Sequence, residues 1–179
     1  MEIIAVVFSL WSVYLAIKVN IWTWLVGLIG ILAYFIIFAE NHLYAQMVLQ
    51  VIFFGQSIYG WVYWYNNEKK CPSFTIKPIR LIIDLVVVGA LTPVLAIILR
   101  STNDPQPIFD SITALLSILA TWYMIKKCTF NWLVWCIADI FFVVMFINQK
   151  MYWSAGLYTI FTLLSIKGIV QWTKDTTTD

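Results

Sequence analysis

Charge is scarce along this chain. Asp, Glu, Lys and Arg make up 11% of 179 residues, against about 25% in an ordinary soluble domain. With 62% of residues hydrophobic, there is too little polar surface to coat a soluble fold, and an integral membrane protein is indicated. Cysteine and histidine are also few. Cys71, Cys128 and Cys136 form no CxxC pair, and the single His42 follows Glu40 and Asn41 in a polar break. Neither a zinc site nor a disulfide framework is indicated, and no metal or cofactor is expected. The phosphate-binding pattern GxxxxGKS/T is missing, which argues against a pump driven by its own nucleotide hydrolysis. A net charge of +2, with Lys and Arg in short clusters between apolar runs, gives no basic stripe for nucleic acid. The first apolar stretch has no basic leader and no small-residue cleavage site, so it is expected to remain as a helix.

What the chain has in quantity is long apolar runs. A membrane-crossing helix needs about 17–25 mostly apolar residues, and seven stretches qualify: 2–18, 22–39, 43–65, 80–99, 108–126, 131–148 and 151–173. The breaks between them hold Lys, Asn, Glu and Pro. An all-α, seven-span membrane protein follows, with no room for a soluble domain.

Shifting the chain by 108 residues without a gap pairs Lys18 with Lys126, Trp24 with Trp132, Tyr44 with Tyr152, Ser57 with Ser165, Gly60 with Gly168 and Trp64 with Trp172. Aliphatic matches between apolar runs are cheap, so the weight rests on Lys, Trp, Tyr and Gly. The expected organisation is a three-helix repeat (1–66), a loop and linking helix (67–107), a second three-helix repeat (108–174) and a polar tail (175–179). Spans 1 and 5 are an even step apart, which makes the repeats parallel. Transporters built from parallel repeats place the substrate near the bilayer midplane between their halves. Thr92-Pro93 is a kink signal in the linking helix.

Basic residues give the orientation. Lys18, Lys69, Lys70, Lys77, Arg80, Lys126, Lys127 and Lys174 fall on one side, against Arg100 and Lys150 on the other. The C-terminus is therefore expected in the cytoplasm and the N-terminus outside.

The 108-residue shift also exposes a difference, because Gly27 falls opposite Trp135 and Ile31 opposite Asp139. At helical spacing Trp132, Trp135, Asp139 and Val143 share one face, with a carboxylate roughly 6–10 Å along the axis from two indoles. An ionised carboxylate near the bilayer centre costs about 2.5–3.5 kcal/mol on insertion scales, so it needs a partner, a cavity or a substrate. Pairing with Lys167 and helix packing are the structural alternatives. As a site, two indoles over a carboxylate suit a flat cation, through ring stacking, cation–π attraction and a charged acceptor. Polar residues on other spans can line the same cleft: Gln46, Gln50 and Ser57 in the third, and Tyr158, Thr162 and Ser165 in the seventh. Arg80 with Asp84, an i, i+4 pair, and Asp110 in a first helical turn are read as structural.

The pattern Trp132-x-x-Trp135-x-x-x-Asp139 resembles the WxxWxxx(N/D) motif of the PnuC-type vitamin transporters. Residues 56–64 and 20–24 are similar to that family's first half, and the resemblance covers nearly the whole chain. It implies a 3+1+3 architecture similar to the SWEET sugar transporters. It also implies uptake of nicotinamide riboside, or in related branches thiamine or riboflavin, by facilitated diffusion. Trapping would follow by a cytoplasmic kinase. The implied setting is a homotrimer in a bacterial inner membrane. Asp139 stands where nicotinamide riboside carriers are expected to have Asn, which brings thiamine level with nicotinamide riboside.

No nucleophile–base pair, no second buried carboxylate spaced with Asp139 and no ligand cluster supports an enzyme. A proton-coupled transporter and a non-transporting assembly subunit are the rival readings.

Overall fold

In the computed structural model, residues 2–40, 44–68, 71–74, 76–101 and 106–177 are described. His42, Lys69, Lys70 and the side chains of Tyr44 and Gln46 lie outside the described residues. Within them the chain forms seven helices: α1 (Glu2–Ile17), α2 (Trp22–Glu40), α3 (Tyr44–Asn66), α4 (Pro78–Arg100), α5 (Pro107–Ile125), α6 (Phe130–Asn148) and α7 (Tyr152–Thr177). These lie close to the seven expected spans. The largest departure is at α7, which runs on to Thr177, into the expected polar tail. There Gln171 donates from Nε2 to Asp175 Oδ1 at 3.0 Å, an i, i+4 bond along the added turn.

By length and apolarity, four of the described helices can cross a membrane: Pro78–Arg100, Pro107–Ile125, Phe130–Asn148 and Tyr152–Asp175. Ile3–Ile17 and Trp22–Ile37 are shorter apolar helices. α3 belongs to neither group, because Gln, Ser and Tyr dilute its apolar content.

Helix neighbours run α1–α2–α3–α5–α6–α7 and back to α1, which makes a closed ring of six. α4 stands outside it against α5. The position of α4 explains its composition: Ile79, Ile82, Val86, Val94, Ile97 and Ile98 are all exposed, as a lipid-facing helix requires. It is tied to the ring by a polar bridge, in which Tyr123 Oη donates to Asp84 Oδ2 at 2.6 Å and Arg80 Nε sits 2.9 Å from Asp84 Oδ1. Arg80 and Asp84 thus form the expected pair. α4 remains helical through Pro93, and the Thr92 hydroxyl bonds the Val88 carbonyl at 2.8 Å.

The ends of α1, α3, α5 and α7 meet at the lysine-rich end. Trp64 donates its indole N–H to the carbonyls of Met124 and Ile125 at 3.2 and 3.1 Å. Trp172 donates in the same way to Ala16 and Ile17 at 3.1 and 3.2 Å. Those two contacts differ by a 108-residue shift of both partners. The turns after α1 and α5 match as well, with Val19 and Lys127 both in the left-handed region at φ 53° and 52°. The second turn is clamped further: Lys127 Nζ donates to the carbonyls of Asn67 and Glu68, and Ser73 pairs with the backbone at Lys127 and Thr129.

Candidate functional site

A cavity of about 1310 Å³ fills the centre of the six-helix ring. It exceeds the roughly 300–1,000 Å³ of a small-molecule pocket, so it has room for a binding site and an approach to it. Its walls come from both three-helix segments, and many lining residues recur at an offset of 108: Ser9 and Ser117, Trp24 and Trp132, Gly27 and Trp135, Ile31 and Asp139, Gln50 and Tyr158, Ser57 and Ser165.

α6 supplies the chemistry. Trp132, Trp135 and Asp139 all face the cavity, and the same stripe continues through Phe142, Met145 and Phe146. The expected continuation at Val143 is corrected: Val143 lies off the lining, and Phe142, at i+3 from Asp139, takes the position. Asp139 is 3% exposed. Among the described residues its side chain has one hydrogen-bond partner, Ser165 Oγ, which donates to Oδ2 across a long 3.4 Å. Lys167 is exposed and makes no ion pair with Asp139. A buried carboxylate with a single weak donor favours a cation or a strong hydrogen-bond donor beside it.

The structure brings six of the seven expected site residues to this cavity: Gln50, Ser57, Trp132, Trp135, Asp139 and Tyr158. Tyr158 stacks on Phe142 with ring centroids 4.3 Å apart and leans on Phe146 and Phe161, which makes an aromatic wall next to the carboxylate. Thr162 is corrected. It is off the lining, its hydroxyl donates to the Tyr158 carbonyl at 2.9 Å, and its own carbonyl receives Cys136 Sγ at 3.8 Å. A threonine hydroxyl in a helix has its own i−4 carbonyl within reach, and here that local bond wins.

Among the cavity residues that escaped the sequence reading, two carry chemistry next to the expected site. Asp110, taken as a first-turn charge for the helix dipole, is also a wall residue. Trp24 lines the floor opposite Trp132, and both are 2% exposed. The repeat pairing of Trp24 with Trp132 was the signal for the second of these. For Asp110 the signal was periodicity along α5, where Asp110, Ser117 and Thr121 stand at i, i+7 and i+11 and all line the cavity.

At the lysine-poor end the described rim residues Ile3, Met151 and Trp153 are exposed. At the lysine-rich end the floor is shut by buried tryptophans. The arrangement can hold a planar ring between indoles and a polar or cationic group against Asp139. Nothing in it resembles a bond-breaking centre.

A family model described as the nicotinamide mononucleotide transporter matches residues 1–174. The nicotinamide riboside transporter PnuC of Escherichia coli (strain K12) is 30% identical over 200 residues, covering 96% of this chain and 84% of that protein. Its namesake in Neisseria mucosa is 25% identical, covering 88% of this chain and 65% of that protein. A crystal structure described as the Vitamin B3 transporter PnuC shares the fold, with a TM-score of 0.77 at 19% identity over 98% of this chain and 81% of that one.

Proposed function

The chain belongs to the nicotinamide mononucleotide transporter family, and we propose that it carries a flat-ringed cationic vitamin across a bacterial inner membrane. The observation that carries this reading is the convergence of Trp132, Trp135, Asp139, Gln50, Ser57 and Tyr158 on one central cavity. Trp135 and Trp132 stack on the ring, Asp139 faces its charge or a polar substituent, and Gln50, Ser57 and Tyr158 bond hydroxyls.

Nicotinamide riboside is the first candidate substrate, because the relatives are named as its transporters. Thiamine is the second reading, favoured by one residue, the carboxylate of Asp139 in place of an amide. We read the architecture as two parallel repeats, 1–66 and 108–174, joined through 67–107 in a SWEET-like 3+1+3 order. The reciprocal indole bonds of Trp64 and Trp172 support this. Transport is then alternating access about a shared site, by facilitated diffusion, with trapping by a cytoplasmic kinase. The N-terminus is outside, the lysine-rich end is cytoplasmic, and the assembly is a homotrimer.

The test is calorimetric titration of the purified protein with nicotinamide riboside, thiamine and riboflavin, followed by uptake into proteoliposomes with and without a pH gradient. One of the two cationic vitamins should bind and equilibrate without accumulating. Accumulation driven by the gradient would replace facilitated diffusion with proton coupling. If none of the three binds, the vitamin-carrier reading fails.

A further inference from the structure

The floor of the cavity contains more tryptophan than ring recognition requires. Trp24, Trp64 and Trp132 are each 2% exposed and Trp172 is fully buried. They form one row, with centroids 5.4 Å apart from Trp24 to Trp64, 6.4 Å from Trp64 to Trp172 and 5.5 Å from Trp172 to Trp132. The two end contacts are edge-to-face, at 89° and 86°. The inner pair crosses between segments: each indole N–H holds carbonyls in the last turn of the other segment's first helix. Those last-turn carbonyls lie beyond the helices' own pairing, and those of Ala16 and Met124 also accept the N–H groups of Val19 and Lys127 in the turns that follow. The two segments are therefore latched to each other at this end by one indole apiece.

The outer pair is held differently. Trp24 lies on Gly60 and Trp132 on Gly168, so closely that a Cβ on either glycine would fall 2.6 or 2.3 Å from ring atoms. Neither indole N–H has a hydrogen-bond partner among the described residues, and both atoms are buried. Burying a donor without a partner is unfavourable, so this closed layer carries a built-in bias toward a state in which water reaches those two groups. Among the described residues the other end of the cavity has no such layer, and its rim residues Ile3 and Trp153 are exposed.

We propose that the four-tryptophan layer is the gate at the lysine-rich end. Trp132 is part of both the gate and the ring-binding face, so seating the vitamin and moving the gate are coupled. This rests on the transport reading above. Opening breaks the reciprocal indole latches of Trp64 and Trp172, and their freed carbonyls and N–H groups become hydrated. Gly60 and Gly168 are the seats onto which Trp24 and Trp132 return on closing.

The test uses the full chain in vesicles of both orientations, with Ser9→Cys as a half-buried cavity reporter on α1. A membrane-impermeant maleimide is applied from each face, and the labelling of the native cysteines is subtracted. The reporter should react from the lysine-poor face and at least tenfold more slowly from the lysine-rich face. Adding Trp64→Phe with Trp172→Phe keeps the rings but removes both latches. Labelling from the lysine-rich face should then rise at least fivefold. Should that pair not fold, Gly60→Ala, which unseats Trp24 and keeps every indole, must produce the same rise. Equal labelling of the parent from both faces overturns the gate, and so does parent-level labelling in a folded variant. Saturating nicotinamide riboside or thiamine should change the lysine-rich-face rate. A vitamin that binds without changing that rate overturns the coupling. If neither vitamin binds while the variants still open the face, the gate stands and the substrate reading fails.

Discussion

The two three-helix segments pack their inner ends with the same parts and then treat the middle of their second helix in opposite ways. Along α2 the cavity wall is Gly27 and Ile31, whereas along α6 it is Trp135 and Asp139. The reason lies one helix away. Ser12 and Thr23 zip α1 to α2 by exchanging hydroxyl-to-carbonyl bonds at 2.9 and 2.8 Å, and Ser12 Oγ comes within 3.0 Å of where a Cβ on Gly27 would lie. At the matching positions of α5 and α6 stand Ala120 and Asn131, and Asn131 bonds the Cys128 carbonyl instead. The first segment uses its space for close helix contact; the second leaves room for an indole. Four tryptophans and two glycines serve the architecture in both halves, and the second indole and the carboxylate of the cavity wall stand in one alone.

The sharpest break of that comparison is a matched set of substitutions. Asp139→Ala and Trp135→Ala should each weaken vitamin binding, by about a hundredfold for the carboxylate and about tenfold for the indole, at roughly 1.4 kcal/mol per tenfold. Their counterparts Ile31→Ala and Gly27→Ala should leave affinity within about twofold, as read by calorimetry. Equal losses in the two halves would mean that both segments recognise the substrate.

Next in size is Ile31→Asp, which gives α2 the carboxylate without the indole above it. It should destabilise the folded protein by about 2.5–3.5 kcal/mol, the cost of an unpaired charge at that depth. It should create no second site, and thermal unfolding with and without vitamin reads both effects.

The parts of this comparison differ in how plainly the chain shows them. Trp24, Trp64, Trp132 and Trp172 recur at a fixed offset, and Asp139 stands out against Ile31, so the matched tryptophans and the Trp-Trp-Asp face of the cavity are readable from residue order alone. The six-helix ring is less so, because the bonds that close it join residues 60 and 156 positions apart. Thr162 shares a stripe with Tyr158 and Ser165, yet its hydroxyl turns to its own backbone, a local choice that periodicity does not encode. Val143 and Phe142 differ by one helical step of about 100°, which a sequence stripe resolves poorly where every neighbour is apolar.

A smaller effect tests the zipper that fills the first half. Ser12→Ala removes one hydroxyl of the α1–α2 exchange and should lower stability by about 1 kcal/mol, with vitamin affinity unchanged. Ala120→Ser at the matching position should give no comparable gain, since Asn131 is already bonded to Cys128. A gain of similar size would show that the two helix pairs are interchangeable and that Trp135 owes its space to something else.

The smallest expected effect is also the finest discriminator. Ser57 and Ser165 are both buried, line the same cavity and sit 108 residues apart, but only Ser165 meets a carboxylate. Its hydrogen bond is long, so Ser165→Ala should weaken binding of a cationic vitamin only about two- to fivefold, or roughly 0.4–1 kcal/mol. Ser57→Ala, which removes one hydroxyl contact from the cavity wall and leaves Asp139 untouched, should change less than that. The difference between the two isolates what the serine does for Asp139, because volume lost, burial and helix position are the same. Equal effects would place both serines in packing alone and leave Asp139 oriented by the substrate itself; a larger loss at Ser57 would shift part of the recognition back to the first segment.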